Sequence, residues 1–122
     1  MYADHTTLQI VGQILIAVLF LGTALINSTT KVKQHAERMA ALGVPIPYVT
    51  LWVGFAVQYT GGILLLLDVK TDIGVYLLLL FTVAATAIFH RFWRVGDPLM
   101  RHMHVSFLFS NLAVVGALLL LL

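Results

Sequence analysis

Stretches of almost unbroken apolar residues at 8–27, 49–67, 73–92 and 105–122 divide the chain, and nearly all charged residues fall between them. Each stretch is about 18–20 residues, roughly 27–30 Å of α-helix at 1.5 Å per residue, which matches the hydrocarbon core of a bilayer. The runs are continuously apolar rather than alternating, so a transmembrane β-barrel is excluded. The pattern predicts an all-α integral membrane protein: a bundle of four transmembrane helices forming a single domain over residues 1–122.

The connections differ in kind. Asp68 to Asp72 is a tight turn, so the second and third spans must be antiparallel neighbours. Arg91 to His104 is a polar link holding Gly96-Asp97-Pro98, a turn signal. In the first connection, Val32, Ala36, Met39, Ala40 and Gly43 form a helical stripe, with Lys31, Lys33, Glu37 and Arg38 off it. Thr29 or Thr30 can cap the start of this segment, and Gly43 with Pro45 can end it. A short amphipathic helix at the membrane interface, between the first and second spans, is expected.

Composition supports the lipid solvent. The chain has 122 residues, 61% of them hydrophobic and 10% charged, with a mean hydropathy of +1.00. Soluble domains are about 45–50% apolar and about 25% charged. A chain this small has too little interior to hide that excess. The absence of cysteine excludes disulfides, thiolate metal sites and cysteine nucleophiles. Residues 1–7 carry no Lys or Arg and the first run lacks a small-residue cleavage site, so no cleavable signal peptide is expected.

Charge then bears on topology rather than on nucleic acid. Lys31, Lys33, Arg38, Arg91, Arg94 and Arg101 lie in or beside the first and third connections, whereas the opposite side holds only Lys70. Under the positive-inside rule these connections face the cytoplasm and both termini face the periplasm, in a bacterial inner membrane.

Polar groups inside the spans need explanation. Gln9, Gln13, Ile16, Phe20, Thr23 and Asn27 form one tinted face of the first span. Gly54, Gln58, Gly61 and Gly62 share a face of the second. Thr82, Thr86 and His90 recur every four residues in the third. In the fourth, Asn111 lies seven residues after His104, with Ser106 and Ser110 on a neighbouring stripe. A packing and hydrogen-bonding role is expected for Gln13, Thr23, Asn27, Gln58, Gly61, Gly62, Thr82, Thr86 and Asn111. The alternative is a polar pocket for a quinone headgroup or another small ligand.

His35, His90, His102 and His104 all fall on the basic side, but His102 and His104 are two residues apart and would diverge on a helix. No metal-ligand spacing is present, and no metal site is expected. His90, Arg91 and Trp93 form either an interfacial anchor or a rim that holds a quinone or lipid headgroup. No catalytic constellation is recognisable, and no catalytic residue is expected.

The chain resembles the DoxX family of small four-helix bacterial membrane proteins. The resemblance rests on Leu19-Phe20-Leu21, on Met39-Ala40-Ala41-Leu42-Gly43-Val44-Pro45, and on Gly61-Gly62 followed by Ile63–Leu67. It continues through Phe89-His90-Arg91-Phe92-Trp93 and from Phe107 through Asn111-Leu112-Ala113 to Gly116. It implies a four-helix bundle and a link to quinol-oxidase or thiosulfate–quinone chemistry in relatives. Where the family pattern often carries Lys, Glu and Lys, this chain has Asn27, Gln58 and Ser110, which suggests that an ion network has become a neutral hydrogen-bonded core. The expected function is a non-catalytic accessory subunit packed with lipids against a larger bacterial redox complex, respiratory or photosynthetic. The alternative is a quinone-linked oxidoreductase component, with quinone the cofactor in that case.

Overall fold

The computed structural model describes residues 4–89 and 96–122. Its elements are α1 (Thr7–Thr30), α2 (Val32–Ala41), α3 (Pro47–Leu67), α4 (Thr71–Phe89) and α5 (Pro98–Leu119). All but α2 are long and apolar enough to cross a membrane, which makes this a multi-pass all-α membrane protein with four candidate spans.

Local chemistry sets the helix ends. Thr6 and Gln9 form a reciprocal capping box at the start of α1: the Gln9 N–H donates to Thr6 Oγ1 at 3.1 Å, and the Thr6 N–H to Gln9 Oε1 at 2.8 Å. Gln9 is therefore an exposed capping residue and not part of the buried face. At the other end α1 runs past Asn27 to Thr30. Thr29 and Thr30 do not cap the next helix, as the sequence suggested; their hydroxyls donate back to Leu25 O at 2.7 Å and Ile26 O at 2.6 Å. Such back-bonding lets polar residues continue a helix. The boundary residue is Lys31, which makes no side-chain cap.

α2 ends as expected at Gly43, whose φ of +85° suits glycine, with the Val44 N–H returning to Met39 O at 3.0 Å. Its Ala36 and Met39 are buried against Leu51 and Phe55 of α3. Of the predicted apolar stripe, Ala40 is exposed and Gly43 lies beyond the helix.

α3 starts at Pro47, two residues before the apolar run, because proline suits the first helical position. It ends where Asp68 adopts φ 52°; Lys70 follows at φ 46°. These two left-handed residues reverse the chain into α4. The last expected residues of the third span, 90–92, lie outside the described residues. The largest difference from the hydropathy pattern is in α5, which begins seven residues before Val105. Asp97 accepts the Leu99 N–H at 2.9 Å and Pro98 occupies the first turn. Capping starts a helix whether or not its first turns are apolar, so hydropathy marks the lipid-facing part and misses the polar extension.

α3 lies between α1 and α4, and α5 packs against α4. Ala17, Phe20, Leu65, Val75, Leu78 and Leu118 form the buried cluster at the centre. The adjacent glycines of α3 serve different helices. A Cβ on Gly61 would lie 2.7 Å from Leu78 Cγ on α4, and one on Gly62 would lie 2.7 Å from Leu21 Cδ2 on α1. Their expected common face is thus split, since consecutive helical positions point about 100° apart. Of α5, only His104 and Leu118 are buried.

Candidate functional site

Two glutamines join α1 to α3. Gln13 Nε2 donates to Leu65 O at 2.9 Å and to Asp68 Oδ1 at 3.0 Å. Leu65 O lies in the last turn of α3 and also accepts the Asp68 N–H at 3.2 Å, so Gln13 adds a second donor to a carbonyl at the helix end. Gln58 Nε2 donates to Phe20 O at 2.9 Å and to Thr23 Oγ1 at 2.8 Å. Both glutamines are buried, and each leaves its amide oxygen without a partner among the described residues.

The other polar residues divide between seams. Ser28 Oγ and Tyr59 Oη lie 2.8 Å apart and add a third α1–α3 link. Asn111 Nδ2 donates to Thr86 Oγ1 at 2.8 Å, joining α5 to α4, while Thr86 itself donates to Thr82 O. The neutral core imagined from Asn27, Gln58 and Ser110 does not form as one network. Gln58 bonds to Thr23, Asn27 lines a cleft, and Ser110 is exposed on α5. His102 and His104 diverge as helix geometry demands: His104 is buried and His102 exposed.

That cleft is a cavity of about 490 Å³ between α2, α3 and α4. Its size falls in the roughly 300–1,000 Å³ range of small-molecule sites. Gly54 and Val57 of α3 and Ala84, Ala85 and Ile88 of α4 supply apolar walls. Small residues at 54, 84 and 85 keep it open; a Cβ on Gly54 would find only Phe81 Cε2, at an ordinary 3.8 Å. His35 and Arg38 of α2 and Thr50 of α3 line the end nearest α2, and Asn27 and Gln58 also contribute to the lining.

His35, Arg38, Thr50 and Gly54 were not identified from sequence as one site. The signal available was the spacing of His35 and Arg38, three residues apart on a short helix, which puts them on one side. Asp68, which receives Gln13 and also the Thr71 hydroxyl at 2.9 Å, looked like a turn residue only. His90, Arg91 and Trp93 lie outside the described residues. Among the described residues no group of three or more His, Asp or Glu side chains is placed to hold a metal ion.

The arrangement can hold an amphiphile: apolar walls along the helices with cationic and hydroxyl groups at one end. No curated protein and no solved structure was found to match the chain. The DoxX family model matches residues 8–91, which takes in α1 through α4 and with them both glutamine links and the whole cleft.

Proposed function

Because the chain belongs to the DoxX family, we propose that it serves as a non-catalytic accessory subunit of a larger bacterial membrane redox complex, respiratory or photosynthetic. The observation that carries this reading is the state of α5. Ser106, Ser110 and Ala113 recur at helical spacing and are exposed, and Gly116 has open space where a Cβ would sit. Lipid chains gain nothing from serine hydroxyls in the middle of a span, whereas a second helix packs closely on small residues and accepts their hydrogen bonds. The redox part of the reading follows from the family resemblance. In this reading the protein sits in the inner membrane with α2 on the cytoplasmic side and both termini in the periplasm, because the basic residues cluster near α2 and the start of α5.

The test is native mass spectrometry on the protein extracted from its own membranes in mild detergent. The expected result is a larger assembly at fixed stoichiometry with subunits that carry haem, pigment or quinone. Ser110→Leu should abolish that association while leaving helical content unchanged. A bare homo-oligomer would overturn the reading.

A second reading, a quinone-linked oxidoreductase component, draws support from the cleft. Its wall reaches Ile88, two residues before His90. The chain's own mass plus one quinone, with no partner subunit, is the result that would favour it.

A further inference from the structure

We infer that the cleft between α2, α3 and α4 is a binding groove for one anionic phospholipid, with the phosphate at the His35–Arg38 end and one acyl chain along the α3–α4 seam. The walls and the end differ in chemistry in the way such a ligand requires. Gly54, Val57, Ala84 and Ala85 offer only carbon to a chain, while Arg38, His35 and Thr50, whose hydroxyl donates to Pro45 O at 3.0 Å, line the α2 end. Arginine presents a planar fork of donors suited to phosphate oxygens. The surrounding helix adds Lys31 and Lys33, both exposed, against a single acidic residue, Glu37. The local field therefore favours an anionic over a zwitterionic head.

The shape selects a membrane lipid over a free fatty acid. Val53 and Leu80 edge the groove and are 58% and 64% exposed, so it opens sideways along its length. A second acyl chain can stay in the bilayer while the first occupies the groove. A carrier for a free acid would need to enclose the chain. From Thr50 to Gln58 the groove follows nine residues of α3, about 12 Å of helix, which takes a chain from the interface toward mid-bilayer. This inference is independent of the subunit reading, since the groove lies on α2, α3 and α4 and the proposed docking stripe on α5.

The experiment is native mass spectrometry on the purified full chain released from nanodiscs of equal parts phosphatidylglycerol and phosphatidylcholine with identical chains. Wild type should retain one phosphatidylglycerol in about fivefold excess over phosphatidylcholine, the preference one basic side chain near a membrane surface confers. Arg38→Gln, a change at an exposed position, should cut the phosphatidylglycerol excess at least in half. Gly54→Leu and Ala84→Leu, which fill the groove from opposite walls, should each lose the bound lipid while keeping wild-type helical content. Equal retention of both lipids by wild type, or undiminished retention by both filled variants, would overturn the proposal. Replacement of phosphatidylglycerol by added oleate would overturn the phospholipid assignment. Replacement by an equal amount of ubiquinone would overturn it in favour of the quinone reading.

Discussion

Gln13 and Gln58 each place an amide nitrogen on the other's helix: Gln13 reaches Leu65 O on α3 and Gln58 reaches Phe20 O on α1, both at 2.9 Å. Phe20 lies seven residues after Gln13, and Leu65 seven after Gln58, so the two links are reciprocal and sit two helical turns apart on an antiparallel pair. Ala17, fully buried, lies between them on α1, and the Gly61-Gly62 pair lies between them on α3. Small residues let the backbones approach until the amides can span the gap. The links then fix the register, because a shift of one residue would leave both amides facing carbon in a medium without water.

This geometry separates two changes at one position. Gln58→Leu removes a donor along with its own unpartnered oxygen, and Thr23 keeps its bond to Leu19 O at 2.7 Å. Its cost should be about 1 kcal/mol, within the range for interhelical hydrogen bonds in membranes. Gln58→Glu instead sets a carboxylate against the Phe20 carbonyl, with no cation among its bonding partners in α1. That change should cost about 3 kcal/mol or more, as an uncompensated buried charge does. Reversible unfolding in mixed detergent measures both; equal losses would mean that the Gln58 amide does not act as a donor.

Glycine substitutions should divide by position. Gly61→Ala would place its Cβ 2.7 Å from Leu78 Cγ and 3.1 Å from Gly74 O, so α3 and α4 must separate. The expected loss is about 1–3 kcal/mol, typical of overpacking. Adding Leu78→Ala should not restore it, because the backbone oxygen remains and Leu78 is itself a fully buried core residue. Gly116→Ala meets nothing within 4 Å and should stabilise the isolated protein by up to about 1 kcal/mol through helix propensity. Thermal melts in detergent give the ordering directly.

Such contrasts show what the sequence could and could not disclose. Gln13 and Gln58 stand out as amides in apolar runs, but their acceptors are the backbone oxygens of Leu65 and Phe20, which leave no trace in residue identity. The turn at Asp68 was visible, yet its carboxylate's bond to Gln13 depends on how α1 meets the end of α3. Gly96-Asp97-Pro98 read only as a turn, and Arg101, His102 and His104 lowered the hydropathy of the helix that starts there. The cleft was invisible for a further reason: it exists because Ala36 and Met39 of α2 pack on Leu51 and Phe55, bringing His35 and Arg38 beside Gly54 and Ala84. Tertiary contact of a ten-residue helix is not encoded in any local pattern.

α5 should be the most easily displaced span. The Asn111–Thr86 bond at 2.8 Å ties it to α4, and only His104 and Leu118 are buried along it. A double-mutant cycle with Asn111→Ala and Thr86→Val should give a coupling of roughly 0.5–1.5 kcal/mol, as expected for one such bond. Hydrogen exchange should rise in α5 of Asn111→Ala and stay low in α1 and α3. A uniform rise across all the helices would show that the four spans unfold together and that α5 is no weaker than the rest.

The orientation of the bundle can be read with single cysteines, because the natural chain has none. Lys33 and Lys70 are both exposed and lie on opposite sides of the α3 span in the order of the chain. Lys33 is 3.9 Å from Glu37, but both side chains are well exposed, and pairs of that kind contribute little to stability. Lys33→Cys and Lys70→Cys should therefore fold as the parent does. In intact cells a membrane-impermeant maleimide should label the Lys70 variant and leave the Lys33 variant untouched until the membrane is opened. The reverse pattern would place α2 and the basic end of the cleft in the periplasm. Labelling of both without opening the membrane would mean that α3 does not separate the two sides, and would overturn the four-span topology itself.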